Sequence, residues 1–454
     1  MSHTTPPAPD GLPILGHTVR FAREQAALFE SAADGGEVVK LRILGMGNLH
    51  LLSNPEDIAD VLVRGRDAFG KPSFSKDQLG DLLGNGLVLS EGEFWQRQRG
   101  LMQPAFYRNR IESYAEYMTD HARQTADSWV AGRTYDAADE MKKLTLRIFV
   151  DAMFGTDVDY EKRGIRDAVA ALQEPAKPRK QIVARVVPKW VPIPMWREYM
   201  SSIEFFEDLI AEMLAEKRTE SGDGRGTGDD LLSMLLRARD EGGEGMTDEQ
   251  VRDELMTMLF AGHETTALAL TYTWYLLGRN PEKARTLREE LDAELDGPPT
   301  AEDLPALDYT EAVVKESMRV YPPVPMIPRE AETDVEIAGY RVPEGEMVAC
   351  PQVVAHHDDR WWNDPEQFRP ERWLDDQGEL ADGTGDRPEY AYFPFGGGPR
   401  RCIGEEFAMV EGQLILATLA REWEVELASE APPNPAMGPT LLPMNDIEIT
   451  PRAR

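Results

Sequence analysis

The stretch whose reading decides the fold is "FPFGGGPRRCIGEEFA", residues 393–408. One of only two cysteines in the chain, Cys402, follows three glycines and two arginines here. It stands just before a strong helical run, "EEFAMVEGQLILATLAREW" (405–423). A thiol at a helix N-terminus feels the positive end of the dipole and unpaired backbone N–H groups, which favour thiolate and predict a lowered pKa. The glycines at 396–398 and Gly404 would let the backbone approach a flat group without Cβ interference. Arg400 adds positive charge and Phe395 an aromatic face. Together these features fit a thiolate ligand to a metal in a planar, anionic macrocycle. On the residues alone an inert buried cysteine, a nucleophile and a zinc ligand stay open, although zinc would need Cys or His neighbours that this stretch lacks.

Composition bounds the setting. Two cysteines in 454 residues cannot build a disulfide framework, which points to a reducing cytoplasm. No run of ~18 apolar residues occurs, so no transmembrane anchor is expected. The start, "MSHTTPPAPDGLPILGH" (1–17), lacks the pattern of a signal peptide. A net charge of −32 disfavours nucleic acid as a partner, because its phosphates would be repelled. Only 12 of the 49 basic residues are lysines, and so acidic a surface suits either plain solubility or a salty habitat.

Working outward, most of the chain reads as helix, with a small β region, in one integrated unit spanning 1–454. Helical periodicity marks 21–33, 91–106, 112–156 and 200–217. "GEVVKLRILGMGNLHLLSN" (36–54) predicts a hairpin turning at Gly45–Asn48, followed by an N-cap at Asn54 before Pro55. Residues 70–90 predict a long Gly/Ser-rich excursion, and 219–230 a polar connector. The longest pattern runs from about Asp248 to Gly278, roughly 30 residues or ~45 Å, enough to cross a whole domain. "DVEIAGYRVPEGEMVACPQVVAHHD" (334–358) predicts the β region, and Trp373–Tyr392 a polar meander. Cys350 reads as a buried small hydrophobe, and His356 and His357 as strand-end and loop residues without a third metal ligand.

Inside the longest pattern stands "FAGHETTALAL" (260–270). Ala261 and Gly262 are small, and a mid-helix Gly costs about 1 kcal/mol against Ala, so something should pack closely there. Glu264 and Thr265 follow in an apolar stretch, where a buried acid is expensive unless it is hydrogen-bonded or relays protons. The plainer alternative is a threonine bonded back to the preceding turn beside a solvated glutamate. "KESMR" sets Glu316 and Arg319 three apart on one helix face, and "WQRQR" sets Trp95 and Arg99 one turn apart.

"FGGGPRRCIG" (395–404) matches the pattern F-x-x-G-x-R-x-C-x-G at Phe395, Gly398, Arg400, Cys402 and Gly404. On this motif the chain resembles the haem-thiolate monooxygenases of the cytochrome P450 family, and the likeness extends to about residue 420. The resemblance implies a mainly α fold with a small β region, a long central helix crossing the molecule, and haem b (iron protoporphyrin IX) between that helix and the Cys402 loop. It implies Cys402 as the iron ligand, whose electron donation favours O–O cleavage. "AGHET" resembles the family's A/G-G-x-D/E-T, giving Glu264 and Thr265 the roles of an acid–alcohol pair that delivers protons to dioxygen, with Gly262 leaving room for O2. Glu316 and Arg319 match E-x-x-R; with Arg372 of "FRPERW" they would form a buried structural triad. Trp95 and Arg99 match W-x-x-x-R, which reaches one haem propionate; Arg329 and Arg400 are candidates for the other.

The expected reaction is hydroxylation or epoxidation with O2 and electrons from an external ferredoxin or flavodoxin with its reductase, since no reductase domain follows. Arg97, Arg108, Arg110 and Arg401 are candidates for the docking patch. The pocket is expected to be lined by 70–90, 165–200, Ala261 and the turn at Pro322–Ile327. These are largely apolar, which implies a lipophilic substrate, and the motif texture resembles the fatty-acid and carotenoid hydroxylase-like branches. The rival readings are a peroxide-driven peroxygenase, against which the Glu264–Thr265 pair argues, and a non-catalytic haem-based binder or sensor.

Overall fold

The computed structural model describes residues 5–154, 164–176, 180, 183–184, 187–220, 228, 230–239, 242–381 and 387–454. Most of the connector expected at 219–230 and part of the meander expected at 373–392 lie outside the described residues.

The centre of the molecule is a helix of 32 residues, Asp248–Arg279. Its start is fixed by a capping box. The Thr247 side chain accepts from the Gln250 N–H, and the Gln250 side chain accepts from the Thr247 N–H. From Val251 to Leu277 it is buried on nearly every face, as a helix that crosses a core must be. Around it pack Ala137–Phe154, Asp308–Val320 and Glu405–Glu422. Arg108–Ser128 lies in turn against the helix that follows Cys402. The fold is mainly α with small sheets, as the sequence predicts.

The largest sheet has five strands in the spatial order Val38–Ile43, Gly47–Leu52, Met347–Pro351, Met326–Ala331, Phe69–Gly70. Its hairpin turns one residue earlier than predicted. Ile43 pairs with Gly47, so Leu44–Met46 form the loop and Gly47 and Asn48 already belong to the returning strand. Asn54 caps the next helix, accepting from the Glu56 N–H at 2.9 Å.

Four helical readings shift. The span 21–33 divides at Glu24 into Thr18–Arg23 and Gln25–Ala33. The excursion at 70–90 contains a helix, Ser73–Leu83, whose apolar side at Leu82 and Leu83 is buried although Gly80 weakens its propensity. The span 112–156 divides into two helices at a turn through Gly132 (φ +80°). The helix predicted at 200–217 begins at Pro194, where proline's fixed φ suits the first turn. Cys350 is buried in its strand, and burial pushes its thiol up to about 12. His356 ends a short helix rather than a strand, and its Nε2 accepts from the Phe393 N–H at 3.0 Å.

Candidate active site

Between the central helix and the Cys402 loop lies a cavity of about 990 Å³. It is lined by all the segments that the sequence nominates: Phe74 and Leu87 from 70–90, Leu172 and Trp196 from 165–200, Ala261, and Val324 from the turn. One lining segment has no sequence signal. The hairpin of Pro435–Met437 and Leu441–Pro443 brings Met437, Thr440 and Leu442 to the wall, and nothing in "PAMGPTLLP" marks it as functional.

Cys402 sits on a loop closed by its own backbone. Its N–H donates to the Phe395 carbonyl at 2.9 Å, and the Arg401 N–H donates to the Gly398 carbonyl at 3.1 Å. Gly396 and Gly398 take φ values of +75° and +63°, which side chains rarely tolerate. A Cβ on Gly398 would stand 2.4 Å from the Leu62 carbonyl oxygen, and one on Gly397 2.3 Å from the Tyr390 ring. These two glycines are therefore dictated by the protein behind the loop, not by a flat group in front of it. Gly404 differs: its nearest neighbour would be Phe106 at 3.8 Å, and it lines the cavity with Phe395 and Cys402.

The cysteine is solvent-accessible although protein surrounds it, because its free surface is that of the cavity. Burial raises the thiol pKa, against the opposing pull of the Gly404 N–H, Arg99 and Arg401. The expected lowering by the helix terminus thus loses to desolvation, since the helix offers one N–H, from Gly404, and the pull of Arg99 and Arg401 is opposed by Glu405. A thiol held in this way becomes a good anionic ligand only when a cation binds it.

Three arginines ring the same cavity. Arg400 has its guanidinium carbon 4.2 Å from the centre of the Trp95 ring and donates to the Ser90 carbonyl at 2.7 Å. Arg99 lies 5.8 Å from the same ring, and Arg329 donates to its own Pro328 carbonyl at 2.9 Å. Among the described residues none of the three is within salt-bridge distance of a carboxylate. Burial, with repulsion from Arg329, pulls Arg400 down to about 10. Lys71, which the sequence reading missed in "FGKPS", lies half-buried beside them and is held down to about 7 by burial and by Arg329 and Arg400. Glu91 is the one acid that acts on Lys71, Arg329 and Arg400 together, so the cluster keeps an excess of positive charge that a bound group bearing carboxylates would relieve. The residues present fit haem: one thiol and four cations line the same void.

Opposite the thiol, Ala261, Gly262, Glu264 and Thr265 line the cavity from the central helix. Gly262 has a packing reason, since a Cβ there would lie 2.7 Å from the Phe149 ring of the 137–154 helix. Its missing side chain makes room for Phe149, which lines the cavity with it. Thr265 donates back to the Ala261 carbonyl at 2.9 Å, as in the plainer alternative, but Glu264 is buried, not solvated. Burial pushes Glu264 up to about 7, against Lys142 and a hydrogen bond from Thr440. Its Oε1 has no hydrogen-bond partner among the described residues. A carboxyl that titrates near neutrality beside a hydroxyl can take up and hand on protons.

Behind the thiol loop, Glu316 accepts from Arg319 Nε at 3.0 Å and Nη2 at 2.9 Å, and from Arg372 Nε at 3.0 Å. Trp373, next to Arg372 in the sequence, adds a fourth bond from its indole at 2.9 Å. Arg319 also donates to the His356 carbonyl at 2.8 Å, and the His356 ring holds Phe393 at the start of the thiol loop. The cluster is joined to the cysteine loop by two hydrogen-bonding steps and does not itself reach the cavity. Of the basic residues nominated for docking, Arg108 pairs with Glu112, Arg401 pairs with Glu405, and Arg97 donates to the Gly245 carbonyl. No group of three or more potential metal ligands occurs among the described residues. No helix among them is long and apolar enough to cross a membrane.

The cytochrome P450 family model matches residues 6–450. The chain is 36% identical over 425 residues to cyclooctat-9-en-7-ol 5-monooxygenase of Streptomyces melanosporofaciens, covering 93% of this chain and 90% of that protein. It is 34% identical over 431 residues to pentalenene oxygenase of Streptomyces avermitilis, covering 94% and 93%. Among solved structures, the haem domain of cytochrome P450DA superposes with a TM-score of 0.88 at 26% identity, covering 99% of this chain and 98% of that one.

Proposed function

The chain belongs to the cytochrome P450 family and is a P450 monooxygenase, and on that premise we propose that it uses haem b, ligated by Cys402, to hydroxylate or epoxidise a lipophilic substrate. The observation that carries this reading is the Cys402 thiol opening into a cavity that faces Glu264 and Thr265 on its far side and holds Arg99, Arg329, Arg400 and Lys71 at its rim. Haem supplies the oxygen-activating redox chemistry when bound. The protein would hold it by the thiolate and by charge-assisted bonds from the cations to its carboxylates. Glu264 would take protons up on its buried carboxyl and pass them toward the Thr265 hydroxyl. The apolar wall of Phe74, Leu87, Leu172 and Trp196 would exclude water and bind substrate by its hydrocarbon surface.

The names of two relatives specify an unsaturated alcohol and an unsaturated hydrocarbon. A cyclic alkene or its alcohol is therefore the favoured substrate class here, ahead of the fatty acids. We assign the enzyme to the cytoplasm, as one catalytic unit over 1–454, with electrons from an external ferredoxin or flavodoxin and its reductase. Buried Glu264 next to Thr265 weighs against the peroxide-driven alternative.

The test is the absorption spectrum of the reduced protein under carbon monoxide, for wild type and Cys402→His. A strongly red-shifted Soret band that the substitution abolishes is expected. A Soret band indifferent to Cys402, or a protein that takes up no haem, overturns the assignment.

A further inference from the structure

The first half of the central helix carries a buried carboxylate that the oxygenase chemistry does not use. Glu254 is fully buried and no cation pairs with it among the described residues. Its Oε2 accepts from the Leu87 N–H at 2.9 Å and its Oε1 from Gln98 Nε2 at 3.1 Å. The neighbouring Asp253 accepts from the Asn85 N–H at 2.7 Å. A Cβ on Gly84 would lie 2.2 Å from the Asp253 carboxylate, and one on Gly86 2.1 Å from Thr257 Oγ1, so this chain segment is laid directly on the helix. At its other end the Ser90 carbonyl accepts from Arg400 of the thiol loop. Between the two attachments Leu87, Val88 and Leu89 form cavity wall.

From this geometry we infer that Glu254 is a specificity-setting positioning residue, holding residues 85–90, a strap turned back on itself by bonds from the Leu89 and Ser90 N–H groups to the Gly86 carbonyl, between the central helix and the thiol loop so that Leu87–Leu89 present a fixed face to the substrate. The inference rests on reading the cavity as the oxygenation site. A carboxyl group has two oxygens and so accepts both bonds at once, from the Leu87 N–H on one and from the Gln98 amide on the other, whether or not burial keeps it protonated. The bond to Gln98 couples the strap to Trp95 and Arg99, which stand on the same short helix, Gly92–Met102. Replacing Glu254 would leave the wall residues and the bonds at Asn85 and Ser90 in place and remove the one bond that fixes the wall at Leu87 itself. The cavity would then discriminate less among ligands of different length.

The test compares holoenzyme with wild-type Glu254, Glu254→Ala and Glu254→Gln. The first readout is amide hydrogen exchange across 84–91. The alanine variant is expected to exchange at Leu87 about 10–100-fold faster, and at Asn85 much less so because Asp253 remains. The glutamine variant, whose amide oxygen still accepts from Leu87, is expected within a few-fold of wild type. The second readout is the binding of 1-alkylimidazoles from butyl to dodecyl, where Glu254→Ala should flatten the dependence on chain length and Glu254→Gln should restore most of it. Unchanged exchange at Leu87 in the alanine variant, or an undiminished length dependence, overturns the inference. So does a glutamine variant that behaves like alanine. If Glu254→Ala does not fold, Glu254→Asp, one methylene too short to reach both donors, replaces it with the same expectations. The exchange measurement reads a bond within the protein, so it separates failure of this inference from failure of the haem assignment, which the carbon monoxide spectrum reports.

Discussion

Glu316 and Arg319 form a two-point ion pair one helical turn apart, with neither side chain exposed to solvent. Such a pair adds little stability over apolar residues of similar volume, but breaking it strands a charge in the core. Glu316→Ala would leave Arg319, Arg372 and the Trp373 indole without their shared acceptor. The expected loss is about 3–5 kcal/mol, read as a drop in thermal midpoint together with loss of bound haem, because His356 and Phe393 hang from the same network. Normal stability in Glu316→Ala would show that the cluster is not structural.

The two glycines of the thiol loop that the sequence motif treats alike differ in their surroundings. Gly398 combines a positive φ with a Cβ path blocked by the Leu62 backbone. Gly398→Ala is expected to cost well over ~1 kcal/mol, since neither the strain nor a backbone oxygen can move aside cheaply. Gly404, with an ordinary φ of −94° and open space beside it, should accept alanine within about 0.5 kcal/mol for the protein alone. Calorimetry of the two haem-free variants checks this, and equal destabilisation would refute the distinction.

How far the sequence carried this reading follows from the range of each interaction. The central helix was legible almost to its ends because its apolar pattern and capping residues are local signals. Cys402, Glu264, Trp95 and Glu316 were legible because each sits in a short motif. Lys71, Thr440 and Glu254 were not, because each acquires its meaning from a residue far along the chain: Arg329 and Arg400 for Lys71, Glu264 for Thr440, and Leu87 and Gln98 for Glu254. The thiol was misjudged for a related reason. A helix terminus can be read locally, whereas the burial that overrides it depends on the whole fold.

Glu411, on the helix that follows Cys402, gives a prediction about pH. It is buried, neither of its carboxyl oxygens has a hydrogen-bond partner among the described residues, and burial pushes it up to about 8 from an ordinary value of 4.5. A carboxyl whose folded pKa is raised favours the folded state fully below about pH 4.5, and that advantage is lost as pH rises through about 8. Glu411→Gln stays neutral throughout. The stability of the variant relative to wild type should therefore rise between about pH 4.5 and 8 and level off above, by on the order of 5 kcal/mol. Thermal midpoints of both proteins at pH 5 and pH 9 measure the change, and a difference independent of pH would rule out a buried ionisation at this site.

The proton relay is tested by separating oxygen consumption from product. Glu264 and Thr265 both face the cavity, but the hydroxyl donates back to the Ala261 carbonyl and the carboxyl titrates near 7. If they act in sequence, their replacements should fail differently. Glu264→Gln keeps the shape and removes the proton carrier, so turnover should fall by roughly 10²-fold or more while substrate affinity holds. Thr265→Ala keeps the carrier and removes the last hydroxyl, so oxygen should still be consumed but released largely as peroxide. Thr265→Ser keeps a hydroxyl on the same backbone and should recover most of the coupling. Product formed per oxygen consumed, measured with the same redox partner for all three, decides between these outcomes. Full coupling in Thr265→Ala would remove Thr265 from the relay, and unchanged turnover in Glu264→Gln would reduce Glu264 to a buried carboxyl without a catalytic task.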